Sequence, residues 1–481
     1  MSTEKDDINF FVKVPTKPKT KTEEDMKLNT SKKGLILVGI SIILIMISLV
    51  IILYFIFYTN ADEQNYIKAK YLVQNTSEYY IIFYKSFNNS IEKIIVDGVE
   101  LDKIENKILF NKTGSIEVEL KFNKKMDNLD NFFYQCKALE EADLSYFFSD
   151  DINSTSDMFH GCKNLKKITF GDFGPKNLYN ISNMFSGCEN LEAIDIDISI
   201  NDKLKDIYGL FYNCYHLKEI NFGDLNTKNV INMSKLFSGC TDLTDINFND
   251  AKHFSTENVI DMSYMFQNCK SLENLDLKKF DTSKTIHMNN MFDSCINLQN
   301  LQINNFKTLN VESMFYMFTN CNSLSSLDLS KFDTHKVNDM FGMFKDCTNL
   351  NTLKINSFNT SLVTDMGGMF GNCKNLSNLS IFNFDVKNVE NMNGMFQGCK
   401  SLESIDLSNF ETENLEGASY FLHGCKNLIY IDLRKFNTLK LKNHIDFFPR
   451  KPLGVDFIYN KTIFNIDIPE KWNSTIITHY K

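Results

Sequence analysis

Between Met126 and Asn437 the apolar positions recur at a fixed pitch, and the cysteines mark it. They stand at Cys136, Cys162, Cys188, Cys214, Cys240, Cys269, Cys295, Cys321, Cys347, Cys373, Cys399 and Cys425, with gaps of 26 residues ten times and 29 once. Counted from each cysteine, leucine occupies +3 in every repeat, from Leu139 to Leu428. Position +6 is Ile or Leu except at Ala142, +8 is Leu, Ile or Phe, and +11 is usually Phe, as at Phe280 and Phe332. Upstream, Met-Phe fills −4 and −3 in eight repeats, Met is common at −7 and Val at −10. Self-similarity at this period is the signature of a solenoid.

The +3, +6 and +8 positions fit a short strand with alternate side chains turned inward. The downstream run, as in Phe332-Asp333-Thr334 to Met343-Phe344, has three- and four-residue spacing. It predicts a short helical segment, started by Asp or Asn ahead of the threonine. The expected fold is therefore an α/β solenoid, a leucine-rich-repeat array of 12 repeats with short parallel strands plus short helical segments. The 29-residue step carries Asn249 to Asn258, so its three extra residues are expected at a corner.

The rest of the chain is read the same way. Residues 34–58, from Gly34 to Tyr58, hold 25 residues without a charged side chain. A bilayer core needs about 20 apolar helical residues, so they predict a transmembrane helix. Lys32 and Lys33 precede it and Asp62 and Glu63 follow, which puts the N-terminus in the cytoplasm and the repeats outside. A cleaved signal peptide is the competing reading, but the apolar run is too long and its leader too extended. Residues 1–33 read as a disordered tail, 59–125 as a β-rich N-terminal cap, 126–437 as the repeat array and 438–481 as a C-terminal cap. Within the N-terminal cap, YYIIFYKS, IEKIIVDGVEL and SIEVELKF are the expected strands, split by turns at Asp97-Gly98 and Thr113-Gly114.

The run from Phe332-Asp333-Thr334 through Met343-Phe344, Cys347, Leu350, Leu353 and Ile355 resembles the 26-residue-repeat bacterial surface proteins with BspA-type leucine-rich repeats. That resemblance implies surface exposure and adhesion or recognition without catalysis. The end repeats depart from it, with Phe132-Phe133 and Phe421-Leu422 in place of Met-Phe, as capping requires.

Charge narrows the partners. The net charge is −9, and only Arg434 and Arg450 are arginines, so no nucleic-acid partner is expected. The expected partners are the membrane, through a single span, and an extracellular protein or glycan ligand. Outward +7 positions carry Asp143, Asp195, Asp276, Asp328, Asp406 and Asp432, a discontinuous stripe on the expected concave face. It reads as a solvated polar ladder or as a ligand- or cation-binding surface. Flanked by Phe and Leu, the cysteine ladder reads as buried free thiols, with disulfides and soft-metal binding as the alternatives. No Ser/His/Asp grouping, metal motif or phosphate loop appears, so neither an enzyme nor a cofactor is expected. Adhesion or recognition leads over a passive structural coat and a transmembrane receptor.

Overall fold

The computed structural model describes residues 40–53, 65–148, 150–171, 173–196, 198, 202–449 and 455–468. The chain divides into two compact units, Met1–Gln64 and Asn65–Lys481. In the first, residues 40–53 form a helix with exposed apolar side chains, among them Ile43, Leu44 and Val50. Among the described residues no helix is long and apolar enough to cross a membrane. The tail 1–33 and both flanks of the 34–58 segment lie outside the described residues.

The second unit begins with strands β1 (Tyr66–Val73), β2 (Tyr79–Ile81), β3 (Ile91–Val96), β4 (Val99–Glu100), β5 (Lys107–Leu109) and β6 (Gly114–Phe122). In β1 the alternation is strict, with Ile67, Ala69, Tyr71 and Val73 buried. Asp97 and Gly98, with φ of 46° and 83°, make the tight turn between β3 and β4, the left-handed pair that such hairpins need. The expected turn at Thr113-Gly114 is instead the entry into β6, and only Tyr79–Ile81 of the YYIIFYKS run is strand. β1 pairs antiparallel with β6 and with β7 (Leu139–Asp143), the first repeat strand, so the cap covers the edge that the array would otherwise expose.

From β7 onward the strands are short: β8 (Lys167–Thr169), β9 (Ala193–Asp195), β10 (Glu219–Asn221), β11 (Asn274–Asp276), β12 (Asn300–Gln302), β13 (Ser326–Asp328), β14 (Thr352–Lys354), β15 (Ser404–Asp406), β16 (Tyr430–Leu433) and β17 (Asp456–Tyr459). They pair in parallel, with Leu275 opposite Leu301 and Leu327 opposite Leu353. A second parallel ladder, at position −8, runs unbroken from Asn128 to Asn443 and carries its register across the long step by pairing Asn232 with Asp261.

The expected helical segments are absent from the described repeats. Their place is taken by turns, and the backbone shows why. In the repeat of Cys269, Met262, Tyr264, Phe266 and Asn268 donate their N–H to His287, Asn289, Met291 and Asp293 of the next repeat at 2.8–3.0 Å. The intervening Met265, Gln267 and Cys269 donate three residues back. A helix would send every donor four residues back. The alternation requires left-handed residues at −5 and −1: Tyr264 has φ 60° and Asn268 φ 59°, and the same columns hold Gly342, Gly394, Gly398 and Gly424. A side chain there costs about 1–2 kcal/mol, which excludes a helix and favours Gly and Asn.

The Asp-Thr motif also has a different role from the expected helix start. The buried Thr308 hydroxyl donates to the Asp333 carbonyl at 2.8 Å and accepts the Asp333 N–H at 2.8 Å. Thr256, Thr282, Thr334 and Thr412 repeat this clamp. In the core, Phe133, Phe159, Phe185, Phe211 and Phe237 form a continuous stack with ring centroids 5.3–5.9 Å apart, and it continues through Phe266 to Phe396.

Thr308→Val keeps the shape and strands both Asp333 groups in a buried corner. The expected loss is ~1–3 kcal/mol by urea titration. Thr348→Val, at a surface contact of 3.5 Å, is expected to change stability by less than ~0.5 kcal/mol. Equal effects would contradict the clamp.

Candidate functional site

Three columns of side chains are the candidates, and the stack fixes each of them. The first is the aspartate stripe. Asp143, Asp276, Asp328 and Asp406 each accept, through one carboxylate oxygen, the N–H two residues on, at 2.9–3.0 Å. They close the turn that leaves the strand. Asp328 also binds Lys354 at 2.8 Å, and this hydrogen bond, with those of Ser330, holds its carboxyl well below the usual range. Asp195 is exposed at the end of β9. Asp432 is buried and paired with Arg434, so it is no part of an outward surface. The stripe is therefore divided: each of these turn-forming carboxylates has one oxygen committed, and Lys278, Lys354 and Arg434 pair with Asp276, Asp328 and Asp432. Among the described residues no group of His, Cys, Asp or Glu is arranged to hold a metal ion.

The second column is the cysteines. All twelve are unpaired and buried. From Cys162 to Cys425 each thiol donates to the carbonyl of the −3 phenylalanine one repeat back, as Cys347 does to Phe318 at 3.0 Å. Burial pushes the thiols up from their ordinary 9.0, to about 12 at Cys347 and at Cys425. A thiol held protonated in this way is a core group, neither a nucleophile nor a ready metal ligand.

The third column escaped sequence reasoning. Residues at −9 lie just before the unbroken ladder, and their N–H groups run up the stack: Ile260 donates to Ile231, Ile286 to Ile260, Glu312 to Ile286, at 2.9–3.0 Å. Their side chains are consequently presented in line. Tyr179, Ile231 and Ile260 are 40–48% exposed, an unusual fate for isoleucine. Beside them, at −11, asparagine and lysine form a rail. Lys203 bonds Asn177, Lys284 bonds Asn258 and Lys336 bonds Asn310, while the amides of Asn229, Asn258 and Asn310 donate to backbone carbonyls one repeat back. Together the two columns line a groove of about 1020 Å³. Its floor is Tyr179, Ile231, Ile260 and Ile286, and four lysines face two acids, Asp202 and Glu312. The signal was in the sequence: three isoleucines in successive repeats at a position outside the core pattern.

Comparison with known proteins places this architecture. Residues 127–247, 240–353 and 338–452 match the family model described as Mycoplasma protein of unknown function, DUF285. Residues 64–173 match the BspA type leucine rich repeat region. Among solved structures, a leucine-rich repeat protein from Bacteroides ovatus is similar at 16% identity over 77% of this chain and 90% of that one, with a TM-score of 0.45. A leucine rich cell surface protein from Faecalibacterium prausnitzii is similar at 17% identity over 55% and 84%, with a TM-score of 0.26. One from Eubacterium ventriosum, a leucine-rich repeat protein, is 13% identical over 59% and 82%, with a TM-score of 0.32. No curated protein matches the chain.

The thiols generate a pH prediction. In the unfolded chain they ionise near 9, whereas folded Cys347 keeps its proton to about 12. The stability this represents is complete below the ordinary pKa and is lost as pH rises from there towards the folded value, at up to ~1.4 kcal/mol per thiol per pH unit. The stability gap between wild type and Cys347→Ala should therefore narrow by about that amount per unit above pH 9, measured by urea titration. A gap constant from pH 7 to 11 would contradict burial, as would far fewer than 12 free thiols after denaturation without reductant.

Proposed function

We propose that this chain, which belongs to the family described as Mycoplasma protein of unknown function, DUF285, is a membrane-anchored surface protein that recognises partners through its solenoid. The BspA-type repeat region at 64–173 supports display at a cell surface. The uncharged run 34–58, with Lys32 and Lys33 before it, supports a single anchor with the N-terminus inside. The observation that carries recognition is the groove floored by Ile231, Ile260 and Ile286. Exposed Ile231 and Ile260 in line with half-buried Ile286, on a backbone held by its own ladder, form an apolar surface rimmed by polar groups. Such a surface marks an interaction site, because solvation gains nothing from it. A passive coat has no use for it. The role is non-enzymatic: the groove is open, and its lysines are bonded along the asparagine rail, as Lys284 is to Asn258 and Lys336 to Asn310.

Cells displaying the full-length chain are expected to bind host cell surfaces or matrix proteins. Ile231→Glu with Ile260→Glu, at equal display, should cut that binding at least tenfold, since each buried isoleucine contributes ~1.5–3 kcal/mol and ~1.4 kcal/mol is already a factor of ten. Surface protease should remove the repeats from intact cells and spare an N-terminal tag. Binding unchanged by the double substitution would reject the groove, and repeats that stay protected would reject the orientation.

A further inference from the structure

A different set of side chains lies further along the same turns. At −5, where most repeats place Gly, Asn or Asp, four hold large side chains in left-handed backbone: Lys235 with φ 57°, Tyr264 with φ 60°, Tyr316 with φ 54° and Tyr420 with φ 58°. Bulky residues in this conformation are strained, and strain of this kind collects where a side chain is needed for a task other than folding. The first two meet in one cluster. The Lys235 ammonium lies 5.6 Å from the Tyr208 ring centroid, 5.4 Å from Tyr212 and 5.6 Å from Tyr264, rings drawn from two repeats flanking its own. All four side chains are half-buried. The neighbouring Tyr208, and then the phenols of Tyr212 and Tyr264, raise the lysine's pKa. The cation is thus oriented by aromatic faces and carries no described carboxylate partner.

Two repeats beyond Tyr264, a distance of ~10 Å at the spacing of parallel strands, is an aromatic platform. Phe315 lies 4.3 Å from Tyr316 and 5.7 Å from Phe341, centroid to centroid. The Tyr316 ring lies over Gly342, where an added Cβ would come within 2.2 Å of it.

We propose that the track from Tyr208 through Lys235 and Tyr264 to Tyr316 binds an acidic polysaccharide, pyranose faces stacking on the tyrosines and a sugar carboxylate meeting Lys235. The C–H face of a pyranose suits the negative face of an aromatic ring. The ammonium, already dehydrated in part by its three rings, is a preset partner for an anion. The spacing of the two platforms matches the length of a disaccharide unit, so a linear polymer engages both; Asp293, Asp346 and Asp365 lie near Tyr316, so that platform takes an uncharged sugar while the charged sugar meets Lys235. An extended peptide is disfavoured here by the backbone: the N–H groups of Tyr264 and Tyr316 are donated to Asn289 and Phe341 of the following repeats, which leaves them unavailable to an added strand.

The inference goes beyond the apolar groove and stands or falls separately from it. Full-length protein is titrated calorimetrically with hyaluronan decasaccharide, with neutral cellohexaose and with polyglutamate, alongside thermal unfolding. Hyaluronan should bind, cellohexaose at least tenfold more weakly, and polyglutamate no better than cellohexaose. Tyr264→Gly removes the ring and relaxes the left-handed backbone, so hyaluronan binding should fall at least tenfold with the melting temperature undiminished. Lys235→Gln, which keeps the stem, should give a similar loss. Ile260→Glu should leave hyaluronan binding intact, which separates this site from the groove. No binding by wild type, polyglutamate binding as tightly as hyaluronan, or hyaluronan binding unchanged in Lys235→Gln would overturn the proposal. So would a Tyr264→Gly variant that melts lower and still binds, since the ring would then be a clamp between repeats.

Discussion

Each corner of the array donates alternate backbone N–H groups to the next repeat, and the remaining architecture depends on that transfer. At Cys269 four donors cross, from Met262, Tyr264, Phe266 and Asn268. With a net value of ~1 kcal/mol each, their greater importance is accounting: a buried corner without them would strand its amides at a higher cost. The pitch of 26 residues follows. Each repeat must return its −8 residue beside the one before, and only then do the threonine clamp, the phenylalanine stack and the thiol-to-carbonyl bonds fall into register. The 29-residue step shows the latitude: the extra residues enter between Phe248 and Val259, and pairing is restored by Asp261.

Because backbone and core carry the fold, the surface columns carry few obligations. Position −9 is Ile in three repeats but Lys205 and Glu312 in others, and −5 is Gly in some and Tyr in others. The −9 column is positioned by a ladder that does not depend on its side chains, whereas the −5 column sits on left-handed backbone where a side chain costs ~1–2 kcal/mol. This separates stability from specificity: Ile231 to Ile286 make an apolar floor and Tyr208 to Tyr316 an aromatic track with the same corner geometry beneath.

The inward half of the structure was legible because burial imposes periodicity on side chains, so the cysteine, leucine and phenylalanine columns disclosed the pitch, the strand and the core. The corners were misread because Met-x-x-Met-Phe spacing is shared by a helix and by successive turns donating three residues back. What separates the two is at −5 and −1, where Gly209, Asn290, Gly239 and Asn268 report left-handed backbone. Asp432 was placed outside with the other aspartates because position alone does not reveal that β17 pairs beside it and that Arg434, two residues on, folds back onto it. The Tyr66–Val73 strand, which joins cap to array, has clear alternation, but its partner β7 lies beyond any local window.

The most direct test of the transferred donors is amide hydrogen exchange on the folded protein. The amides of Phe266, Asn268, Phe344 and Asp346, all in turns, should exchange as slowly as the strand amide of Leu275, because each is bonded into the next repeat. Exchange at these corners as fast as at exposed loop residues such as Lys252, with the strands alone protected, would contradict the account.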